Sequence, residues 1–494
     1  MLPEVSEEAT TPTLPWQDRL DISAAALRPF GPTPTPGAPP EPAADGTPAP
    51  AEAVLDPASA RMVQDINDGH RILLTLDPVL QDSALQIFRN REVPYAAAVV
   101  LDLRDNAVLA LAGHSSMDPE VDPLEIATAA WAPAASTFKL VTTAALLDAQ
   151  AATPSTKVCF HGGLHGIEDE ALRDDPSRDT RCETLSNAVG HSYNLVIAKL
   201  AMRHLSSDTL LEMAKALRFE TEIPFEIPIE RSPAHIPADP IERAKVAAGF
   251  WNIDLSPMHG AVMASIFARG GVYQPPHIIA QVIGPDGSDL SPARPRPERV
   301  LSSEVAAALG EMMVGTTTSG TARKSFRDKQ GNDFVPGIKV AGKTGSLTGK
   351  RAPALNYNWF IGYAPADNPE IAFAVLLANQ PKWRIKAHYA GRRLVEIYID
   401  RRSEIARQRD ARLAPDGLLL PERDPSGALL TSSATPPAAK PSKPEPRAAK
   451  PAGATPSGDT EPAPAPEPGA PAKTPDPEAL PPVPGALPPP PSGA

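Results

Sequence analysis

Trp131-Ala132-Pro133-Ala134-Ala135-Ser136-Thr137-Phe138-Lys139 is the stretch on which the reading of this chain turns. It ends in Ser-x-x-Lys, at the head of an apolar run that reaches about Ala149. On a helix, residues three apart share one side, with about 5–6 Å between β-carbons. A serine hydroxyl is a weak nucleophile and needs a base beside it. Lys139 serves as that base only when unprotonated, so burial and a second cation must lower its pKa. Two more short motifs follow, Ser192-Tyr193-Asn194 and Lys343-Thr344-Gly345-Ser346. Each alone has a plainer reading: an exposed polar pair, a helix cap ahead of Leu195, a surface strand ending in a turn. Together and in this order they form S-x-x-K, S-x-N, K-T-G, a signature of acyl transfer through a serine ester.

The flanks narrow the reading. Gly320-Thr321-Ala322 precedes Gly342-Lys343-Thr344-Gly345, and Asn358-Trp359-Phe360-Ile361-Gly362-Tyr363-Ala364-Pro365 follows it. Leu255-Ser256-Pro257-Met258-His259-Gly260-Ala261 leads to Arg269-Gly270-Gly271. With the three motifs, these segments resemble the penicillin-binding proteins, the serine D,D-transpeptidases of bacterial cell-wall synthesis, over roughly residues 70–410. Two places depart from the family pattern. Ala135 stands where glycine is commoner, and Gly249-Phe250-Trp251-Asn252 replaces a Gly-Gln-Gly-like turn, so that Trp251 is expected to alter substrate access.

The resemblance implies an α/β, serine transpeptidase/β-lactamase-like fold, an antiparallel sheet covered by helices. It implies Ser136 as nucleophile, Lys139 as its base, and Lys343 as the second cation that keeps Lys139 neutral. Ser192 becomes the proton shuttle to the leaving amine, linked to Lys343 on one side and Lys139 on the other. Asn194 would bond the substrate backbone. Lys343, Thr344 and Ser346 would hold the terminal carboxylate of a D-Ala-D-Ala stem peptide or of a β-lactam, and Gly345 would let the strand backbone approach the ligand closely. The N–H groups of Ser136 and Ser346 would form an oxyanion hole, a large catalytic contribution. No cofactor and no metal enter this scheme.

The implied function is cross-linking of peptidoglycan stem peptides through a serine acyl-enzyme, with acylation by penicillins. Ser136 and Ser192 stand 56 residues apart, Ser136 and Lys343 207. The second gap is longer than in the compact β-lactamases, and no glutamate motif for activating a deacylating water stands out. One alternative is a serine β-lactamase or D,D-carboxypeptidase that releases the acyl group to water. Another is a non-catalytic penicillin-binding scaffold, for which a motif should be missing. Expected partners are stem peptides, β-lactam antibiotics and other cell-wall synthesis proteins. The class without an N-terminal glycosyltransferase is expected, because about 70 residues cannot hold that domain.

Of 494 residues, 61 are proline, and they concentrate at the ends. Segments so poor in aromatics bury too little apolar surface to offset chain entropy. The expected organisation is a disordered N-terminal segment (1–58), a penicillin-binding transpeptidase domain (59–411) and a disordered Pro/Ala-rich tail (412–494). A net charge of −12 without a basic run argues against nucleic acid. No apolar stretch reaches the 18–20 or so residues of a spanning helix, and the acidic start Met1–Glu8 has no apolar signal core. The family nevertheless places the chain in the periplasm, at the outer face of the inner membrane.

Cys159 and Cys182 bracket a polar loop. An even pair in an oxidising compartment suggests one disulfide, a staple for the loop that delivers Ser192. Two free thiols, or a metal site with His161, His165 and His191, are the other readings; the spacing fits no standard zinc pattern. Strands are expected at Arg71–Leu76, Ala96–Leu103, Ala107–Ala112, Lys339–Gly345, Asn358–Gly362 and Ile371–Ala378. Helices are expected from Pro78 to about Arg91, from Ser136, over Leu195–His204, Ser207–Leu217, Pro257–Arg269 and Ser302–Val314, and from Ala387 to about Arg407. The stretch up to Ala130 reads as a polar loop.

Overall fold

Apolar runs without polar alternation form buried strands, since both faces must be covered. The computed structural model describes residues 62–412 save 66–68, 119, 164–165, 350–353, 382–384 and 411. Apart from Arg412, the expected terminal segments 1–58 and 412–494 lie outside the described residues. The main sheet contains β1 (Tyr95–Asp102), β2 (Ala107–Ser115), β3 (Ala341–Thr348), β4 (Asn356–Ala364) and β5 (Ile371–Asn379). Its order is β3-β4-β5-β1-β2, antiparallel throughout. The helices that matter for the site are α1 (Pro78–Arg89), α2 (Lys139–Asp148), α3 (Leu185–His191), α4 (Asn194–His204), α5 (Pro257–Ala268), α6 (Ser303–Thr318) and α7 (Ala387–Asp410).

Strand side chains alternate between faces, and here they feed two cores. Ala97, Val99 and Leu101 join α2 and α5 in the larger core, whereas Ala96, Ala98 and Val100 join α1 and α7 in the other. The helix starts follow cap chemistry. Asp77 accepts the Leu80 N–H at 2.7 Å ahead of Pro78, and Ser256 and Ser302 cap α5 and α6.

Three expectations are corrected. The stretch read as a loop before Ala130 contains the helix Pro123–Thr128, capped by Asp122. The loop between the cysteines is flanked by paired strands, Lys157–Phe160 and Arg181–Thr184. The helix expected from Ser136 opens as a 3-10 turn, Ala135–Phe138, and becomes α-helical only at Lys139. Among the described residues no helix is long and apolar enough to cross a membrane.

Candidate active site

The 3-10 turn decides the geometry. In such a turn residues i and i+3 eclipse, and Lys139 Nζ lies 2.6 Å from Ser136 Oγ. The turn is entered through Ala135 at φ +49, a left-handed conformation that glycine adopts at least cost. That accounts for the family's glycine there.

Sheet and loop clamp the turn in place. Ala132 and Pro133 pair with Leu255 and Asp254, and the Trp359 indole N–H on β4 donates to Pro133 O at 2.8 Å. Gly249, at φ +92, passes so close that a β-carbon on it would stand 2.3 Å from Ala135 O and 2.9 Å from Ser136 Cα. The unusual Gly-Phe-Trp-Asn turn thus abuts Ser136. Phe250, not Trp251, lines the cleft. The left-handed backbone at Trp251 and Asn252 (φ 42 and 63) follows it.

Lys139 is fully buried, and its amine also donates to Ala248 O at 2.6 Å. Burial first, and the Lys343 cation second, hold its pKa well below the usual lysine range. Lys343 is likewise fully buried, and burial pushes it down to about 7. Its Nζ donates to Ser192 Oγ at 2.9 Å and to Thr344 O at 2.9 Å.

Ser192 ends α3 in a left-handed conformation (φ 59, ψ 39), a strained position of the kind found at functional sites. It does not cap α4; Tyr193 occupies that cap position without a side-chain bond. Ser192 therefore meets Lys343. The second link implied by the family, from Ser192 to Lys139, is not made as a direct hydrogen bond; the Lys139 amine meets Ser136 and the Ala248 carbonyl, and Ser192 meets Lys343.

A cleft of about 420 Å³ runs between these groups, lined among others by Ser136, Ser192, Asn194, Thr344 and Ser346. Gly345 faces the turn that carries Ser136, where an added β-carbon would sit 3.1 Å from Thr137 Cγ2. Sequence reasoning gave no role to two further lining residues. Thr321 shares a 2.6 Å hydroxyl–hydroxyl hydrogen bond with Thr344. Asn358 donates to Ser346 Oγ at 2.8 Å. The Gly-Thr-Ala segment hinted at the first; only the strand register reveals the second.

Cys159 and Cys182 lie directly opposite each other in the hairpin and are joined by an S–S bond of 2.00 Å. The hairpin runs on into Thr184, whose hydroxyl caps α3 and so supports Ser192. Of the histidines, His161 pairs with Asp179, His191 stacks on Tyr193, and His165 lies outside the described residues.

Two neighbouring serine–lysine pairs open on one cleft beside an edge strand rich in hydroxyls, an arrangement suited to acyl transfer through serine. Residues 96–397 match the family model described as penicillin binding protein transpeptidase domain, and the chain belongs to that family. It is 28% identical over 316 residues to the peptidoglycan D,D-transpeptidase PbpA of Mycobacterium tuberculosis, covering 57% of this chain and 62% of that protein. It thus spans under two thirds of that relative's length. It is also 25% identical to stage V sporulation protein D of Bacillus subtilis, over 65% of this chain and 51% of that one. The crystal structure of PBPA from M. tuberculosis is similar with a TM-score of 0.55 and 25% identity, covering 67% of this chain and 83% of that chain. The imipenem acyl-enzyme complex of the same protein matches at 0.54 and 25%, covering 67% and 80%. Family members are cell-wall enzymes that act outside the cytoplasm.

Proposed function

We propose that this chain is a serine D,D-transpeptidase that cross-links peptidoglycan stem peptides and is acylated by penicillins. The observation that carries this reading is the 2.6 Å contact between Ser136 Oγ and a buried lysine amine, beside the 2.9 Å Lys343–Ser192 pair in the same cleft. Neutral Lys139 accepts the Ser136 proton as Oγ attacks the carbonyl carbon of the D-Ala–D-Ala bond. The oxyanion gathers at the N–H groups of Ser136 and Ser346. As the C–N bond breaks, Ser192 gives its proton to the departing amine and is reprotonated by Lys343. With a pKa of about 7, Lys343 can exchange a proton near neutrality. An acceptor amine then attacks the ester and gives up its proton to Ser192 and on to Lys343 as the new C–N bond forms, while Ser136 Oγ leaves with the proton held by Lys139.

Asn194 orients the donor backbone, Thr344 and Ser346 with Lys343 hold the terminal carboxylate, and Gly345 lets the strand backbone come close to it. The acting domain is residues 59–411, at the outer face of the inner membrane. A stem-peptide mimic ending in D-Ala-D-Ala, incubated with and without a D-amino acid acceptor, tests the reading. Acceptor-dependent exchange is expected. Release to water alone would replace it with a carboxypeptidase. No turnover and no penicillin adduct would leave a binding scaffold.

A further inference from the structure

Asn358 has no part in the scheme above, yet it lines the cleft, is buried, and lies opposite Ser346 in the β3–β4 register. Its amide has a fixed sense. The N–H of Ala387, the first residue of α7, donates to Asn358 Oδ1 at 2.6 Å. A backbone N–H cannot accept, so the oxygen must occupy that position and the nitrogen must face the other way. Nδ2 accordingly donates to Ser346 Oγ at 2.8 Å, with Gly345 O at 3.4 Å as a weaker acceptor. A hydroxyl oxygen that accepts from an amide keeps its own proton for a different partner. Ser346 is exposed to the cleft.

We infer that Asn358 is a positioning residue that makes Ser346 a hydrogen-bond donor toward the anionic end of the ligand. The chain of bonds runs from the start of α7 through Asn358 to Ser346, each group handing its acceptor side to the previous donor. A carboxylate accepts only, so it is best met by a hydroxyl whose proton is already aimed outward. This rests on the reading of Ser346 as a carboxylate-binding residue.

One atom reverses the arrangement. In Asn358→Asp, one carboxylate oxygen keeps the Ala387 N–H, at a helix N-terminus that favours negative charge. The other oxygen accepts instead of donating. Ser346 then turns its proton inward and shows a lone pair to the ligand. The test uses the full chain with benzylpenicillin and its methyl ester as probes, and measures the acylation rate for each. The native chain should prefer the free acid. Ser346→Ala should reduce that preference about tenfold, the worth of one hydrogen bond to a charged group. Asn358→Asp should reduce it at least as much. In the Asn358→Asp background, Ser346→Ala should then cost less than about twofold, since the two act as one unit.

Additive penalties, or an Asn358→Asp chain that keeps the acid preference, would overturn the inference. Should that chain not fold, Asn358→Ala serves. It frees the hydroxyl among three staggered wells, so the preference should fall about threefold; an unchanged preference overturns the inference equally. If benzylpenicillin does not acylate the native chain, the functional reading fails and takes this inference with it. If it does and the cycle is additive, only the role of Asn358 fails.

Discussion

Gly249→Ala should disable acylation without unfolding the protein. Two costs arise. The first is conformational: φ is +92, and an L-residue there loses roughly 1–2 kcal/mol. The second is steric. The new β-carbon would stand 2.3 Å from Ala135 O and 2.9 Å from Ser136 Cα, where ordinary contact begins near 3.4 Å. The nucleophile turn must retreat by roughly 1 Å, and the 2.6 Å Ser136–Lys139 contact would open to beyond hydrogen-bond reach. A misplacement of about 1 Å costs on the order of 10²-fold in rate. Gly331→Ala is the control, because Gly331 has φ +91 and nothing within 4 Å of an added β-carbon. It pays the conformational cost alone. The assay is the second-order rate constant for benzylpenicillin acylation, with thermal melts on both variants. Gly331→Ala should acylate at the native rate and Gly249→Ala about 10²-fold more slowly. A folded Gly249→Ala chain that acylates like the control would refute the claim that this turn sets the nucleophile.

Lys139→Ala should slow acylation by about 10²–10⁴-fold, the usual worth of a general base. Lys139 works as the neutral amine, so the rate falls as pH drops through its pKa. The Lys343 cation helps hold that pKa down, and Lys343→Ala should therefore move the acidic limb of the pH–rate profile upward. An unmoved limb would reassign Lys343. Closing a loop of 23 residues between Cys159 and Cys182 should stabilise by about 3 kcal/mol, checked by denaturant melts with and without reductant. Two reactive thiols in unreduced, denatured protein would contradict the bridge. Ala135→Gly should raise stability by about 1 kcal/mol, since it relieves a left-handed alanine at φ +49.

The residues proposed to react could be picked out because their spacing is written locally. Ser136 and Lys139 are one turn apart whichever helix type forms. Asp77-Pro78 and Ser302 announce helix starts through caps that need no tertiary partner. Asp122-Pro123 carried the same signal, but the six-residue helix behind it has too short an apolar pattern to stand out. The 3-10 turn was hidden because it depends on the left-handed backbone of Ala135. The cysteine hairpin was hidden because its strands are four residues long. Contacts across the chain were out of reach. Trp359 meets Pro133 from 226 residues away, and Asn358 meets Ser346 only through the strand register. The Ala248 carbonyl on the Lys139 amine was equally out of reach, since nothing local places it there.

The central claim is that Ser136 is the acylated nucleophile. The direct measurement is intact mass of the full chain after benzylpenicillin, followed by peptide mapping. One adduct of one penicilloyl unit is predicted, on the peptide carrying Ser136, and absent in Ser136→Ala. An adduct on another serine, or none on folded protein, would contradict it.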